Sequence, residues 1–138
     1  VEYENSCTEP EEEAGDTDCG NPGNGEGELD DHLMFTLWMD EGQTSGWQCP
    51  DDSNGPCNDD PLEGDNILNG NETILAEKTA KEMLEGVELP GPLEGSTTYY
   101  LGVKAHIPAS TGNIIQTDGL LGKIIMEVVQ SRNNPNPW

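Results

Sequence analysis

Apolar residues in this chain come in short bursts separated by long polar runs. The first burst, "LMFTLWM" from Leu33 to Met39, lies between Asp31 and Asp40 and predicts a buried strand. The second, "TILAEKTAKEMLEG", changes period: Ala76, Ala80, Met83, Leu84 and Val87 recur at 4, 7, 8 and 11 residues from the first, a stripe that predicts a short surface helix from about Thr73 to Glu85. Glu77 with Lys81 and Lys78 with Glu82 add pairs at helical spacing, and Gly86 supplies a stop.

In "STTYYLGVKAHIP" the alternation is strict, with Tyr99, Leu101, Val103, Ala105 and Ile107 on one face and Tyr100, Lys104 and His106 on the other. Asp118-Gly119 then predicts a turn between "NIIQT" and "GKIIMEVVQ", where Ile124, Met126 and Val128 make an inward face. With "VEYE" and "NIIQT" as short additions, the pattern predicts three to five strands and one helix, in a mainly β single domain over 1–138. That is too few strands to close a two-layer sandwich, because each sheet needs a facing layer for its apolar side. The chain is therefore expected to belong to a larger whole or to have its edges filled by another copy.

The polar intervals read as acidic loops, one over 1–31 and another over 41–64, and 131–138 reads as an extended tail. Acids outnumber bases 28 to 5, for a net charge of -23, and the imbalance is uneven. Residues 1–72 hold 21 acids and no Lys or Arg, whereas 73–138 hold 7 acids and all 5 bases. Such a charge argues against nucleic acid and anionic lipid as partners and favours cations. A halophilic surface is the competing account, but it would coat both halves alike.

Four cysteines, Cys7, Cys19, Cys49 and Cys57, lie in acidic turn-rich sequence without a Cys-x-x-Cys pair, which fits disulfides better than a zinc ribbon. Three connectivities exist, and Cys7–Cys19 with Cys49–Cys57 is preferred because each closes a short loop. No apolar run is long enough to span a membrane, and residues 1–15 carry no leader pattern, so an exported protein is expected here in processed form. Asn71-Glu72-Thr73 is a glycosylation acceptor compatible with export.

Taken in order, "ENSCTEPE", "GDTDCGNPGNGEGELDDHLMFTLWMD", "GDNILNGNE", "TTYYLGVKAHIP", "GNIIQTDGLLG" and "VVQSRNNP" resemble the TasA/camelysin family of secreted fibre-forming proteins processed by the SipW-type signal peptidase. The resemblance implies a jelly-roll β-sandwich, export to the cell surface, and polymerisation in which a strand of one subunit completes the sheet of the next. Copies of the chain itself are then the expected partners, with extracellular polysaccharide as a second class. Against the family pattern the chain starts near the middle, at Val1, and 41–64 reads as an insertion pinned by Cys49–Cys57.

Candidate chemistry is sparse. The zincin motif suggested by the camelysin name requires paired His four apart, but His32 and His106 are 74 residues apart; no Gly-x-Ser-x-Gly is present, and an enzyme is not expected. Calcium is the cofactor worth weighing, since it draws six to eight oxygens from carboxylates, amides and carbonyls. With the insertion looped out, Asp40, Asp65 and Glu72 would supply carboxylates and Asn66 or Asn69 a neutral oxygen. Glu9 to Asp18 is a weaker second candidate, and the bland reading of all these acids is a solvated face. The leading expectation is a filament subunit or biofilm-matrix fibre protein. The alternative is a non-polymerising calcium-stabilised adhesion or glycan-binding module using Trp38, Trp47, Tyr99 or Tyr100, and a secreted metalloprotease is the remote one.

Overall fold

An apolar strand hides its side chains only if both of its backbone edges find partners, and the run from Leu33 onward organises the molecule on that basis. The computed structural model describes residues 2–4, 13–15, 27–44, 48 and 60–129. Within them, β1 (Glu2–Glu4) is followed by α1 (Leu29–His32), β2 (Met34–Met39), β3 (Thr73–Thr79), a 3₁₀ turn (Glu82–Glu85), β4 (Leu101–His106) and β5 (Gly119–Leu121). The chain is mainly strand with little helix. Its principal sheet is antiparallel in the order β3-β2-β4, and β1 and β5 form a separate two-stranded ribbon. The four cysteines, Trp47, most of Glu9–Asp18 and the tail 131–138 lie outside the described residues.

The expected helix from Thr73 to Glu85 is replaced by β3 and the 3₁₀ turn. The helical stripe draws its later members from beyond Thr79, whereas Thr73 and Ile74 are good strand formers, and β2 needs a second neighbour. Phe35 pairs with Lys78 and Leu37 with Ala76; a bulge then leaves Leu75 out of register and sets Trp38 opposite Ile74. The lysines leave their helical partners: Lys78 meets Glu85 at 3.5 Å and Lys81 meets Asp31 at 2.8 Å. Gly86 still provides the stop, at φ 83°, donating to the Met83 carbonyl at 3.0 Å.

Two further expectations change. The segment "NIIQT" lies in consecutive turns rather than a strand, with Gln116 N donating to Asn113 O at 3.1 Å and Asp118 N to Ile115 O at 3.3 Å. Asp118-Gly119 is therefore not a hairpin turn. Instead the Asp118 Oδ2 atom accepts the amides of Glu28 and Leu29 at 2.7 and 3.0 Å, tying the start of β5 to the start of α1. That short helix lies at the end of what reads as a continuous acidic loop.

The second change concerns Ile124, Met126 and Val128, expected to face inward. They belong to neither strand nor helix, and Ile124 and Val128 are 82% and 85% exposed. The periodicity is that of a strand, but among the described residues no strand lies beside it.

Few apolar side chains are buried: among the described residues they are Trp38, Met39, Ala76 and Ala80. Alternation places Met34, Thr36 and Trp38 on one face of the sheet and Phe35, Leu37 and Met39 on the other. Trp38 lies opposite Gly102, where an added Cβ would fall within the indole, so that face closes because β4 carries a glycine there. Across the other face, Phe35, Leu37 and Leu101 are half-buried while Val103 and Ala105 are exposed. Among the described residues the apolar face of this sheet is thus incompletely covered.

Candidate functional site

Beyond Met39 the chain leaves the sheet as "DEGQT" and comes back through 60–72, a stretch of acids whose neighbourhood in sequence contains no Lys or Arg. These acids are not a hydrated surface: Asp40, Glu41, Asp60 and Glu63 are all buried, Glu63 completely. A buried carboxylate needs donors, and with no cation in this half of the sequence backbone amides supply those of Asp40 and Asp60.

The Asp40 carboxylate accepts Gly64 N at 3.1 Å through Oδ1 and Asn66 N at 2.7 Å through Oδ2. Asp60 takes Gln43 N and Thr44 N on Oδ2 at 2.7 and 2.9 Å, and Leu62 N on Oδ1 at 3.3 Å. Glu72 binds Gly42 N at 3.1 Å through Oε1 and Asn69 N at 2.6 Å through Oε2. Glycine is required at the two corners. Gly42, at φ 69°, has the Asp60 carboxyl against its would-be Cβ, and Gly64, at φ 74°, has the Tyr100 ring.

Of the five residues proposed from sequence as calcium ligands, Asp40 and Glu72 come together, close enough to interact directly. Burial pushes the Glu72 carboxyl above its ordinary value; the bonds from Asn69 and Gly42 pull it back, and the neighbouring Asp40 charge raises it again. The other three side chains are engaged elsewhere. Asp65 Oδ1 accepts Ile67 N at 2.7 Å within its own turn, and Asn69 Nδ2 donates to Ile67 O at 2.8 Å. Asn66, held at φ 58°, uses Oδ1 to accept Val103 N at 3.1 Å. Among the described residues no three His, Cys, Asp or Glu side chains are grouped to hold one metal ion. Asp60 and Glu63, absent from the sequence-based set, are as buried as Asp40, and their signal was the pair of glycines at 42 and 64 that hold the corners. Asn71 is exposed in the turn before β3.

The Asn66 contact leads from this loop to the sheet. In an antiparallel pair the amides alternate between facing the neighbour and facing away. Because Val103 N bonds Asn66 and not β2, Val103 and its i±2 neighbours Leu101 and Ala105 present their backbone groups to the outer side of β4. Among the described residues no strand lies on that side, nor on the outer side of β3. At the outer edge of β3, Thr79 N is covered by the Glu82 carboxylate at 2.9 Å. Edges covered by single side chains are how a sheet is kept from pairing indiscriminately.

Comparison of the chain with protein-family models, with curated proteins and with solved structures gave no match. His32 ends α1, and His106 ends β4 opposite Met34. No helix among the described residues is long and apolar enough to cross a membrane.

Proposed function

We propose that this chain is a structural subunit of an extracellular filament or biofilm-matrix fibre, polymerising by β-strand exchange between copies. The observation that carries the reading is the segment 122–129, which alternates like a strand, exposes Ile124, Ile125, Met126 and Val128, and joins no sheet of the described fold, beside a principal sheet only three strands wide. Exposed apolar surface of this kind marks a binding site for another chain. In this reading the β3-β2-β4 sheet is one layer of a jelly-roll sandwich whose closure depends on strands from a neighbour, as the resemblance to the TasA/camelysin family implies. The acidic loop has the structural job of fixing the end of the sheet, and calcium, when bound there, would engage Asp40 and Glu72.

Sedimentation across a concentration series, with electron microscopy of the same samples, tests the reading. Assembly into filaments with a repeat of a few nanometres is the expected outcome. Protein that stays monomeric at high concentration with calcium present would overturn it.

A further inference from the structure

We infer that the donor in this exchange is the segment 122–129 and that the acceptor is the outer edge of β4 in a second copy, where the Asn66 side chain acts as a removable plug. The inference rests on the strand-exchange reading and adds to it which strand moves, which edge receives it and what guards that edge.

The register can be worked out residue by residue. An antiparallel strand on β4 must place its hydrogen-bonded pairs at the residues whose amides face outward, Val103 and Ala105. Setting Val128 of the second copy opposite Val103 puts Met126 opposite Ala105 and Ile124 opposite Ile107. Ile124, Met126 and Val128 of the donor then fall on the face that carries Leu101, Val103 and Ala105, the face left incompletely covered, while Ile125 and Val129 fall on the opposite one. The same register sets Glu127 opposite Lys104, a favourable cross-strand pair. A slip of one residue would turn the apolar set to the opposite face and bring Glu127 opposite Val103 or Ala105.

Charge favours this edge as well. Two chains of net charge -23 repel, yet residues 95–117, which contain β4, include no Asp or Glu, and 122–129 holds one Lys and one Glu. The β3 edge is a poorer acceptor, since it offers Glu77 and its Thr79 amide is already taken by Glu82. Return of the segment to β4 of its own copy is disfavoured by where it starts. Asp118 anchors it to α1, and α1 is bound to the chain just after β3 through Lys81 N donating to Asp30 O at 3.0 Å; β4 is the opposite edge of the sheet.

In the free protomer the Val103 amide, central to this edge, is satisfied by Asn66 Oδ1 at 3.1 Å. An incoming Val128 carbonyl would replace that one acceptor. Asn66 is exposed and projects from the loop held by Asp40, so it can swing away without unfolding the sheet.

The test uses variants of the 138-residue chain that spoil the donor, the acceptor or the plug. Ile124→Asp with Val128→Asp spoils the donor in an exposed segment. Ala105→Pro spoils the acceptor, because it deletes an outward amide at an edge position where proline is tolerated. Lys104→Glu serves as a second acceptor variant should Ala105→Pro misfold. Each variant alone is expected to sediment as a monomer, and an equimolar mixture of donor-dead and acceptor-dead protein is expected to give a one-to-one pair that grows no further. Asn66→Gly, which suits the left-handed backbone at that position, is expected to shorten the lag of wild-type assembly severalfold. Filaments from the donor-dead protein would overturn this inference and leave the strand-exchange reading standing. A mixture that stays monomeric while wild type polymerises would also overturn it. Wild type that never assembles, with 122–129 protected from hydrogen exchange, would sink both. An unchanged or longer lag for Asn66→Gly would remove the plug.

Discussion

Replacing Gly102 by alanine is the sharpest probe of how the sheet is held. Trp38 is the largest fully buried side chain, and β-pairing sets it directly opposite Gly102. A Cβ built there falls among the Cε2, Cζ2 and Nε1 atoms of the indole, so no small adjustment admits it and the ring must leave its site. Without that obstruction Gly→Ala in a strand should stabilise by roughly 0.4–1 kcal/mol, through lower entropy of the unfolded chain. With it, overpacking costs about 1–3 kcal/mol, and full loss of the packed indole is bounded by the ~3–5 kcal/mol of a Trp→Ala change. The sign therefore decides between the two. A destabilisation near 3 kcal/mol would lower Tm by roughly 10 °C in a domain of this size. Thermal unfolding followed by near-UV circular dichroism reads both the shift and the loss of the ordered indole. Trp38→Phe should make Gly102→Ala milder, since removal of the larger ring clears the collision, and the double-mutant cycle gives the coupling. A Gly102→Ala protein as stable as its parent, or more so, would refute the packing described for this face.

Three further outcomes follow from the loop and its anchors. Glu72 carries a pKa raised in the folded state, so its contribution to stability is fully present below the unfolded Glu value and is lost as pH rises through the folded one; stability of wild type relative to Glu72→Gln should fall as pH rises above the ordinary glutamate range, and a constant difference in urea midpoints as pH is raised through and above that range would contradict the assignment. Asp118→Ala removes the acceptor of the Glu28 and Leu29 amides and should cost about 0.5–2 kcal/mol, as loss of a helix cap does, with faster exchange of those two amides. Millimolar calcium should raise Tm through the Asp40–Glu72 pair, and Glu72→Gln should lose that increment; an equal rise in both proteins would assign the effect to surface acids instead.

The strands β2 and β4 were legible because each carries its own signal, a bounded apolar run in one case and strict alternation in the other. β3 was not, because its buried Ala76 also belongs to a helical stripe that runs on past Thr79, and what selects the strand is the unpaired edge of β2, a tertiary demand with no local mark. Asp118-Gly119 misled for a similar reason. Its turn chemistry is real, but the carboxylate is engaged by amides some 90 residues away in sequence. In the loop, bringing Asp40 to Glu72 required only that the intervening segment be looped out, whereas Asp60 and Glu63 looked like decoration because nothing in their surroundings carries a positive charge. The apolar positions in 122–129 have the period of a strand, yet the segment forms none, because period does not supply the neighbouring strand it needs.

The carboxylates of the loop have a further consequence. The partners of Asp40 and Asp60 are peptide N–H groups, which neither dissociate, nor titrate, nor exchange with ions in solution. A surface acid paired with lysine loosens in brine as mobile ions screen it, but a carboxylate gripped by the backbone keeps its partner at any salinity. The chain thus carries two kinds of negative charge. One is exposed and sets how strongly copies repel, which salt can tune; the other is enclosed at the end of the sheet, where it keeps the shape of the edge constant while the repulsion around it changes.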